Sequence, residues 1–304
     1  MDKKSIEALY DRFETTGVTG PGNPRVKAIV RRLVTDLMLA IEDLDIQPEE
    51  FWTGLNYLSE AGRNGELGLV VPGIGLEHFL DLRTDEAEAK AGLVGGTPRT
   101  IEGPLYVAGA PVCQGEARLD DGTQPGELVV MTGLVRDEKG NPIPGVKVEV
   151  WHANHLGNYS YFDQTQSAFN LRRTIITDAN GRYKFRSIMP VGYSVPPGGS
   201  TDILLQQLGR HGHRPAHIHF FAHAEGKRKL TTQINIESDP HLWDDFAFGT
   251  REGLVPPVKT NSDAAAMAAL GTDKPFYEIE FNFDMQPAKA EAPDTDFDRP
   301  RAAA

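Results

Sequence analysis

The chain has 304 residues, 39% of them hydrophobic and 24% charged, and a formal net charge of −12. This composition is typical of a globular protein with one large domain or two ordinary ones, and the acidic balance excludes nucleic acid as a partner. Its one cysteine, Cys113, excludes an intrachain disulfide. The start of the chain lacks a signal-peptide pattern, and no apolar run is long enough to span a membrane, so we expect a cytoplasmic protein that is not a membrane protein.

The first hundred residues predict helices. A short helix ends near Gly17, and a longer one follows with Asn23 as its N-cap and Pro24 in its first turn. A third begins at Pro48, and a fourth lies in GLEHFLDLRTDEAEAKAG. The long helix carries an apolar stripe at helical spacing: Val26, Ile29, Val30, Leu33, Val34, Leu37, Ile41 and Leu44. These stripes either pack within a helical subdomain or meet a partner subunit.

After Thr97 the hydrophobic period changes to two. In ELVVMTGLVRDEKGNPIPGVKVEVWHA, alternating runs flank a turn, and the second run places Val146, Val148 and Val150 on one face. Similar runs recur to FYEIEFNFD without helical segments between them. The sequence therefore predicts a mainly β fold with α, in which an antiparallel β-sandwich follows an N-terminal helical domain. The expected boundaries are a helical domain at 1–97, the sandwich at 98–285 and a C-terminal extension at 286–304.

Five of the nine histidines lie in HGHRPAHIHFFAH. His217 and His219 fall on one face of a predicted strand, where two imidazoles can bind one metal ion. A proton-transfer site or a polar loop beside a strand are the alternatives. His211 and His213 are expected to be solvated or to lie behind the metal ligands, and His223 to pack or cap.

The pair needs further ligands. A structural zinc site would require cysteines. A two-histidine, one-carboxylate iron site would require a carboxylate, but the nearby ones sit where turns or caps would use them: Asp163, Asp178 and Asp202. The remaining candidates are tyrosines: Tyr159 and Tyr161 in GNYSYFD, and Tyr193 in PVGYSVPP. With a free phenol pKa of about 10, a tyrosinate needs a strongly Lewis-acidic ion such as Fe(III).

Longer motifs carry a family resemblance. GNYSYFD, FNLRRTIITD, GRYKFRSIMPVGYSVP, LGRHGHRPAHIHFF and DDFAFGTREGLV resemble the intradiol ring-cleavage dioxygenases, and more narrowly the bacterial members that act on catechol. GNPRVKAIVRRL, LVVPGIGLEHFLDLR and TPRTIEGPLYVAGAP extend the likeness over nearly the whole chain. The resemblance implies an oxidoreductase of aromatic-compound degradation, in the β-ketoadipate pathway, that converts catechol and O2 to cis,cis-muconate.

The resemblance also implies one non-haem Fe(III) per subunit and names its ligands: Tyr159, Tyr193, His217 and His219. Tyr193 and His219 would be axial and the other two equatorial, and Tyr161 is the rival of Tyr159. In this family an arginine at the position of Arg214 stabilises the negative charge that develops on the ring. Tyr193 would accept a catechol proton, and Gln233 matches a polar residue near the substrate.

Seven positions match the substrate pocket of the family: Leu69, Pro72, Ile101, Gly103, Pro104, Phe246 and Ala247. The leucine and proline favour catechol over chlorocatechol or hydroxyquinol, which remain the alternative substrates. The resemblance further implies a homodimer joined through the N-terminal helices, with phospholipid at the interface. A non-catalytic β-sandwich binding module is the alternative from another functional class.

Overall fold

A computed structural model describes residues 1–290 and the backbone of residues 302 and 303. By its internal contacts the chain divides into two compact units, Met1–Asn64 and Gly65–Ala304. None of the helices in the described residues is long and apolar enough to cross a bilayer. Most of the predicted C-terminal extension, residues 286–304, lies outside the described residues.

The first unit is helical, as predicted. Its helices are α1 (Lys3–Thr15), α2 (Pro24–Asp43) and α3 (Pro48–Arg63). The side chain of Asn23 accepts hydrogen bonds from the backbone N–H groups of Arg25 and Val26, so the predicted cap of α2 is confirmed. Within this unit the apolar stripe of α2 stays largely exposed: Val26, Ile29, Val30, Leu33 and Leu37.

The second unit combines helices with two large sheets and two short strand pairs. Its helices are α4 (Leu67–Gly73), α5 (Leu76–Lys90), α6 (Ser200–Gln207) and α7 (Ala264–Leu270). The first eight strands are β1 (Val107–Ala108), β2 (Val112–Gln114), β3 (Glu116–Arg118), β4 (Leu128–Arg136), β5 (Lys147–His152), β6 (Arg172–Ile176), β7 (Arg182–Ile188) and β8 (Tyr193–Ser194). The others are β9 (His213–Arg214), β10 (His217–His223), β11 (Leu230–Asn235), β12 (Val258–Asn261), β13 (Phe276–Glu280), β14 (Phe283–Asp284) and β15 (Ala302–Ala303).

The two large sheets form the predicted sandwich. One has the strand order β11-β10-β5-β6-β2, and the other has β12-β13-β4-β7-β3. One buried cluster takes side chains from both sheets, including Val148, Ile218, Met131, Phe185 and Ile279, so the core lies between them. This confirms the predicted fold class.

The sheets differ from the prediction in being mixed. The long central pairs are antiparallel, but β2 pairs with β6, β3 with β7, and both β13 and β14 with β4 in parallel. Short turns force neighbouring strands to be antiparallel, whereas strands joined by long connections can pair in either direction. Since β13 follows β4 by well over a hundred residues, no turn dictates its direction.

Helices α4, α6 and α7 were not predicted. Each has seven or eight residues, too few to establish a helical period. The compact second unit also includes α4 and α5, which lie in the segment 1–97 that the sequence assigned to a helical domain. That boundary therefore stays a prediction.

Helix α5 contains a half-buried carboxylate, Asp81. Its Oδ2 atom is buried and has no hydrogen-bond partner in the described part of the chain. Burial, followed by the nearby Glu77, raises the pKa of Asp81 to about 7, against a smaller lowering by Arg99. The folded protein therefore holds this proton over a pH range in which an unfolded chain has lost it.

We expect Asp81 to make stability fall as pH rises from about 4 to 7, because only the folded state still binds the proton there. Between pH 4 and pH 8 the free energy of unfolding of the variant Asp81→Asn should fall by about 2–4 kcal/mol less than that of the wild type. Urea unfolding at both pH values measures this difference. Glu86→Gln, on the exposed face of the same helix, is the control, and an equal gain there would contradict the prediction.

Candidate metal centre

Strand β10, which lies between β11 and β5 in the five-stranded sheet, presents two histidines. His217 and His219 lie on one face, whereas Ile218 and Phe220 on the other face belong to the core. The Nδ1 atom of His217 lies 2.6 Å from the carbonyl oxygen of Pro215. Because a carbonyl only accepts, Nδ1 carries the hydrogen and Nε2 keeps its lone pair. This tautomer suits a metal ligand.

Two phenols meet the imidazoles. Tyr159 Oη lies 3.3 Å from His217 Nε2, and Tyr193 Oη lies 3.5 Å from Tyr159 Oη. The Nε2 atoms of His217 and His219 are 3.0 Å apart. Tyr193 packs closely against Gly157. The φ of Gly157 is +81°, and a Cβ on this residue would lie 2.6 Å from Tyr193 Cβ, so only glycine fits here. Two phenol oxygens and two imidazole nitrogens thus converge on one point.

Burial sets the charges of these groups. Burial, followed by the nearby Arg214, lowers the pKa of His217 to about 3, and burial with His217 lowers the pKa of His219 well below its usual value. Burial and the neighbouring Tyr193 raise the pKa of Tyr159. The imidazoles are therefore neutral donors, and the buried phenol ionises only beside a strong cation. This donor set fits a trivalent metal ion better than zinc, which prefers thiolate, imidazole and carboxylate.

A buried arginine borders the four donors. Arg214 Nη1 lies 3.1 Å from His217 Nε2, while Nη2 donates to Gln233 at 2.9 Å and to Asp245 at 3.0 Å. Burial opposes the charge, but Asp245 and the tyrosines raise the pKa of Arg214 above its ordinary value. A Cβ on Gly249 would lie 2.3 Å from Nη2, so the guanidinium needs glycine there. A fixed positive charge therefore stands beside the candidate metal position.

An apolar cavity of about 450 Å³ opens onto the two tyrosines and Arg214. All seven pocket positions predicted from the sequence line it: Leu69, Pro72, Ile101, Gly103, Pro104, Phe246 and Ala247. Gln233 is not among the lining residues described; it lies behind Arg214 and accepts a hydrogen bond from it. The catalytic role of Gln233 stays a prediction, and the contacts of this residue are those of a positioning residue.

Most of this chain resembles known proteins and family models. Residues 23–92 match the family described as "Catechol dioxygenase N terminus", and residues 101–287 match the family described as "Dioxygenase". Catechol 1,2-dioxygenase 2 of Acinetobacter lwoffii is 68% identical over 259 residues, 85% of this chain and 94% of that protein. The solved structure of wild-type Acinetobacter radioresistens catechol 1,2 dioxygenase superposes with a TM-score of 0.97 at 55% identity, covering 100% and 99% of the two chains.

The chain belongs to the intradiol dioxygenase family. Relatives with other named substrates are more distant. The hydroxyquinol 1,2-dioxygenase of a Rhizobium species is 31% identical over 93% of this chain and 95% of its own. The chlorocatechol 1,2-dioxygenase of Rhodococcus opacus is 34% identical over 80% of this chain and 90% of its own. The resemblance seen in the sequence motifs is thereby confirmed.

Several residues that the sequence left as candidates have other surroundings in this intradiol dioxygenase. Tyr161 has a φ of +75° and is not among the described cavity-lining residues, although its ring packs edge-on against Phe162, which is one of them. The three carboxylates bond locally: Asp163 to Thr165, Asp178 to the backbone N–H groups of 180 and 182, and Asp202 to Gly198 and Gln206. Their use in turns and caps was expected.

Three supporting residues were not recognised from the sequence. The ring of Trp151 stacks on His219 at 4.8 Å with an interplanar angle of 5°. Arg172 donates to the carbonyl oxygens of Leu105 and Ser160 and lies over the Tyr159 ring, which fixes that tyrosine's loop. Asp245 neutralises Arg214. A buried arginine signals that an acidic partner exists, but only the tertiary structure distinguishes Asp245 from Asp244.

Arg210 ties two cavity walls together. One Nη atom donates to the carbonyl of Gly73, at the end of α4, and the other donates to Phe246 at 2.9 Å. Helix α4 contributes Leu69 and Pro72 to the cavity, and Phe246 lies in the facing wall. The guanidinium therefore links the two walls by hydrogen bonds.

We expect Arg210→Ala to loosen this cavity, because two hydrogen bonds to carbonyls are lost, at a cost of about 1–3 kcal/mol. The kcat/KM for catechol should fall about tenfold, and the ratio of rates on 4-chlorocatechol and catechol should rise severalfold. Steady-state kinetics on both substrates measure the change. Gln207→Ala, in the last turn of α6, is the control, and an unchanged ratio in Arg210→Ala would contradict the prediction.

Proposed function

We propose that this protein cleaves catechol between its two hydroxylated carbons and inserts both atoms of O2, giving cis,cis-muconate. The observation that carries this proposal is the convergence of two phenols, two neutral imidazoles and a buried arginine at the end of an apolar cavity. The named activity of the relatives with 49–68% identity supports the same conclusion. The reaction conserves all atoms of both substrates and needs no external reductant.

The proposed cofactor is one Fe(III) per subunit, held by four side chains: Tyr159, Tyr193, His217 and His219. When bound, this ion would supply a Lewis acid that stabilises phenolate and catecholate oxygens at neutral pH. The buried tyrosine has a raised pKa, so its ionisation requires such a charge beside it. Anionic oxygen ligands such as phenolate and catecholate suit a trivalent ion better than a divalent one.

Within this proposal the side chains orient the substrate, accept a proton from it and stabilise its negative charge. The catechol ring occupies the apolar walls formed by Ile101, Pro104 and Phe246, with its oxygens towards the tyrosines. Tyr193 is the more exposed of the two phenols and faces the cavity, so its oxygen is placed to take a catechol proton. Arg214 stabilises negative charge as it develops on the ring, and Asp245 and Gln233 keep the guanidinium from reorienting.

Metal analysis, spectroscopy and turnover together test the proposal. The purified protein should contain one iron per subunit, show a visible tyrosinate-to-Fe(III) absorption band, and consume one O2 per catechol with formation of muconate. A colourless, zinc-containing protein that stays inactive after loading with iron would overturn it and favour a non-catalytic β-sandwich binding module.

The substrate is tested by comparing kcat/KM for catechol, 4-chlorocatechol and hydroxyquinol. We propose catechol because Leu69 and Pro72 line the cavity and because relatives named for the other two substrates are more distant. An apolar pocket discriminates a small substituent by only about 1–3 kcal/mol, so the ratios should be about 10- to 100-fold. A higher value for either substituted ring would replace catechol in the proposal.

We further propose a cytoplasmic location and domains at 1–97, 98–285 and 286–304. We also propose a homodimer that is joined through the N-terminal helices, with phospholipid at the interface. The support is the exposed apolar stripe of α2, which includes Leu33 and Leu37. Leu33→Glu combined with Leu37→Glu should halve the mass found by light scattering, whereas Lys27→Glu should leave it unchanged. A monomeric wild type would refute the dimer. Mass spectrometry of an organic extract tests for the lipid, and cell fractionation tests the location.

A further inference from the structure

A second group of metal-ligand side chains lies outside the centre described above. His211, His241 and Asp244 each offer a ligand atom, and these atoms all lie within 4.8 Å of one another. His211 Nε2 is 2.9 Å from Asp244 Oδ2. Ligands of a tetrahedral ion with bonds of about 2.0–2.2 Å lie about 3.4 Å apart, so small side-chain movements bring the three atoms to coordination distance.

The histidines of this group are held in place. The ring of His213 stacks on His241 at 4.6 Å with an interplanar angle of 8°, and its Nδ1 lies 2.6 Å from Ser194 Oγ. The backbone of His241 donates to Asp239, whose other oxygen accepts from the backbone of Ala216. A preorganised ring loses little freedom when it binds an ion, so these contacts favour a site over a chance surface pair.

We propose that His211, His241 and Asp244 bind a divalent transition-metal ion such as Zn²⁺, Ni²⁺ or Cu²⁺, which prefers nitrogen and oxygen ligands. Binding of this ion alters the placement of Tyr193. Two imidazoles and one carboxylate match the preference of these ions, and the partly exposed group leaves positions for water. The ordinary alternative is a surface histidine–aspartate ion pair, which contributes little to stability.

The link to Tyr193 follows from the tautomer of His211. Its Nδ1 accepts a hydrogen bond from the backbone N–H of His213 at 3.1 Å, so Nε2 carries the hydrogen that is donated to Asp244. A metal ion at Nε2 replaces that hydrogen, and the neutral ring then carries its hydrogen on Nδ1. Nδ1 can no longer accept, and the bond from His213 is lost.

That bond involves the backbone of β9. In the β8–β9 pair, His213 lies opposite Ser194, and Arg214 lies opposite Tyr193. A change at the His213 amide therefore reaches the strand pair that places one phenol and the guanidinium of the candidate centre. This second part of the inference rests on the proposed function, whereas the existence of the site does not.

Calorimetric titration of the purified holoenzyme with ZnCl₂ tests the site. We expect one zinc per subunit, with the iron content unchanged by elemental analysis. His241→Ala and Asp244→Asn should weaken binding at least tenfold, and His223→Ala, a histidine on β10 outside the group, should bind as the wild type does. Absence of binding, or equal binding by His241→Ala, would overturn the site whether or not the protein cleaves catechol.

The visible absorption band tests the link. At a zinc concentration that just saturates the wild type, the band should shift and kcat should fall severalfold in the wild type and in His223→Ala. Both changes should be much smaller in Asp244→Asn, whose site is then largely empty. Zinc bound at one per subunit with an unchanged band and rate would refute the link to Tyr193. A protein without iron or a visible band would refute the proposed function, and with it the link, while the zinc stoichiometry would still decide the site.

Discussion

Replacing Arg214→Ala is expected to lower kcat/KM for catechol by about 100- to 1000-fold while the iron content stays unchanged. Removing one preorganised charge from a buried site costs this much when charge develops in the transition state. Arg214 is 5% exposed, and its guanidinium is held by Asp245 and Gln233, so water cannot readily take its place. Most of the loss should fall on kcat, because the charge acts on the transition state more than on substrate binding.

Two further variants separate charge from position. Arg214→Lys keeps the charge but cannot hold Asp245, Gln233 and the site at once, so it should recover only part of the activity. Gln233→Glu adds a negative charge against the guanidinium, whereas Gln233→Met removes one hydrogen bond, and both should cost less than Arg214→Ala. Arg173→Ala, an arginine on β6 outside the cavity lining described here, is the control. Wild-type kcat in an iron-replete Arg214→Ala protein would rule out the proposed role.

Tyr159→Phe is expected to bleach or shift the visible band and to lower activity by at least about 100-fold, as loss of a group that acts within the catalytic constellation does. The phenol of Tyr159 lies within 3.5 Å of both His217 and Tyr193, and burial already holds its pKa high. Its removal takes away one anionic ligand, so the remaining donors bind a trivalent ion less tightly.

Tyr161→Phe is the matched control, since it removes the same hydroxyl two residues away. It should keep the band, the iron and the activity, because Tyr161 turns towards Phe162 and not towards the histidines. Visible spectra and iron analysis of both variants decide the assignment. A band lost in Tyr161→Phe and kept in Tyr159→Phe would transfer the ligand role to Tyr161.

The periodic parts of the fold could be predicted from the sequence. Asn23 and Pro24 mark the start of α2, and alternation identifies β5 and β7, because capping and the two-residue period are local properties. The shared face of His217 and His219 follows from the same period. Parallel pairing of β13 with β4 has no local signal, since it depends on which strand edge remains open after the others have paired.

For the site, the sequence by itself determined which kinds of side chain are present and where the motifs lie: a His-x-His pair on a strand, tyrosines in turn-rich loops, and an arginine three residues before His217. Only the tertiary structure decided which of them meet. It brings Tyr159 to His217 across 58 residues of chain, pairs Arg214 with Asp245 instead of Asp244, and places Gln233 behind the guanidinium. Such choices depend on packing and burial between distant segments, which set the pKa values and distances that residue type and spacing leave open.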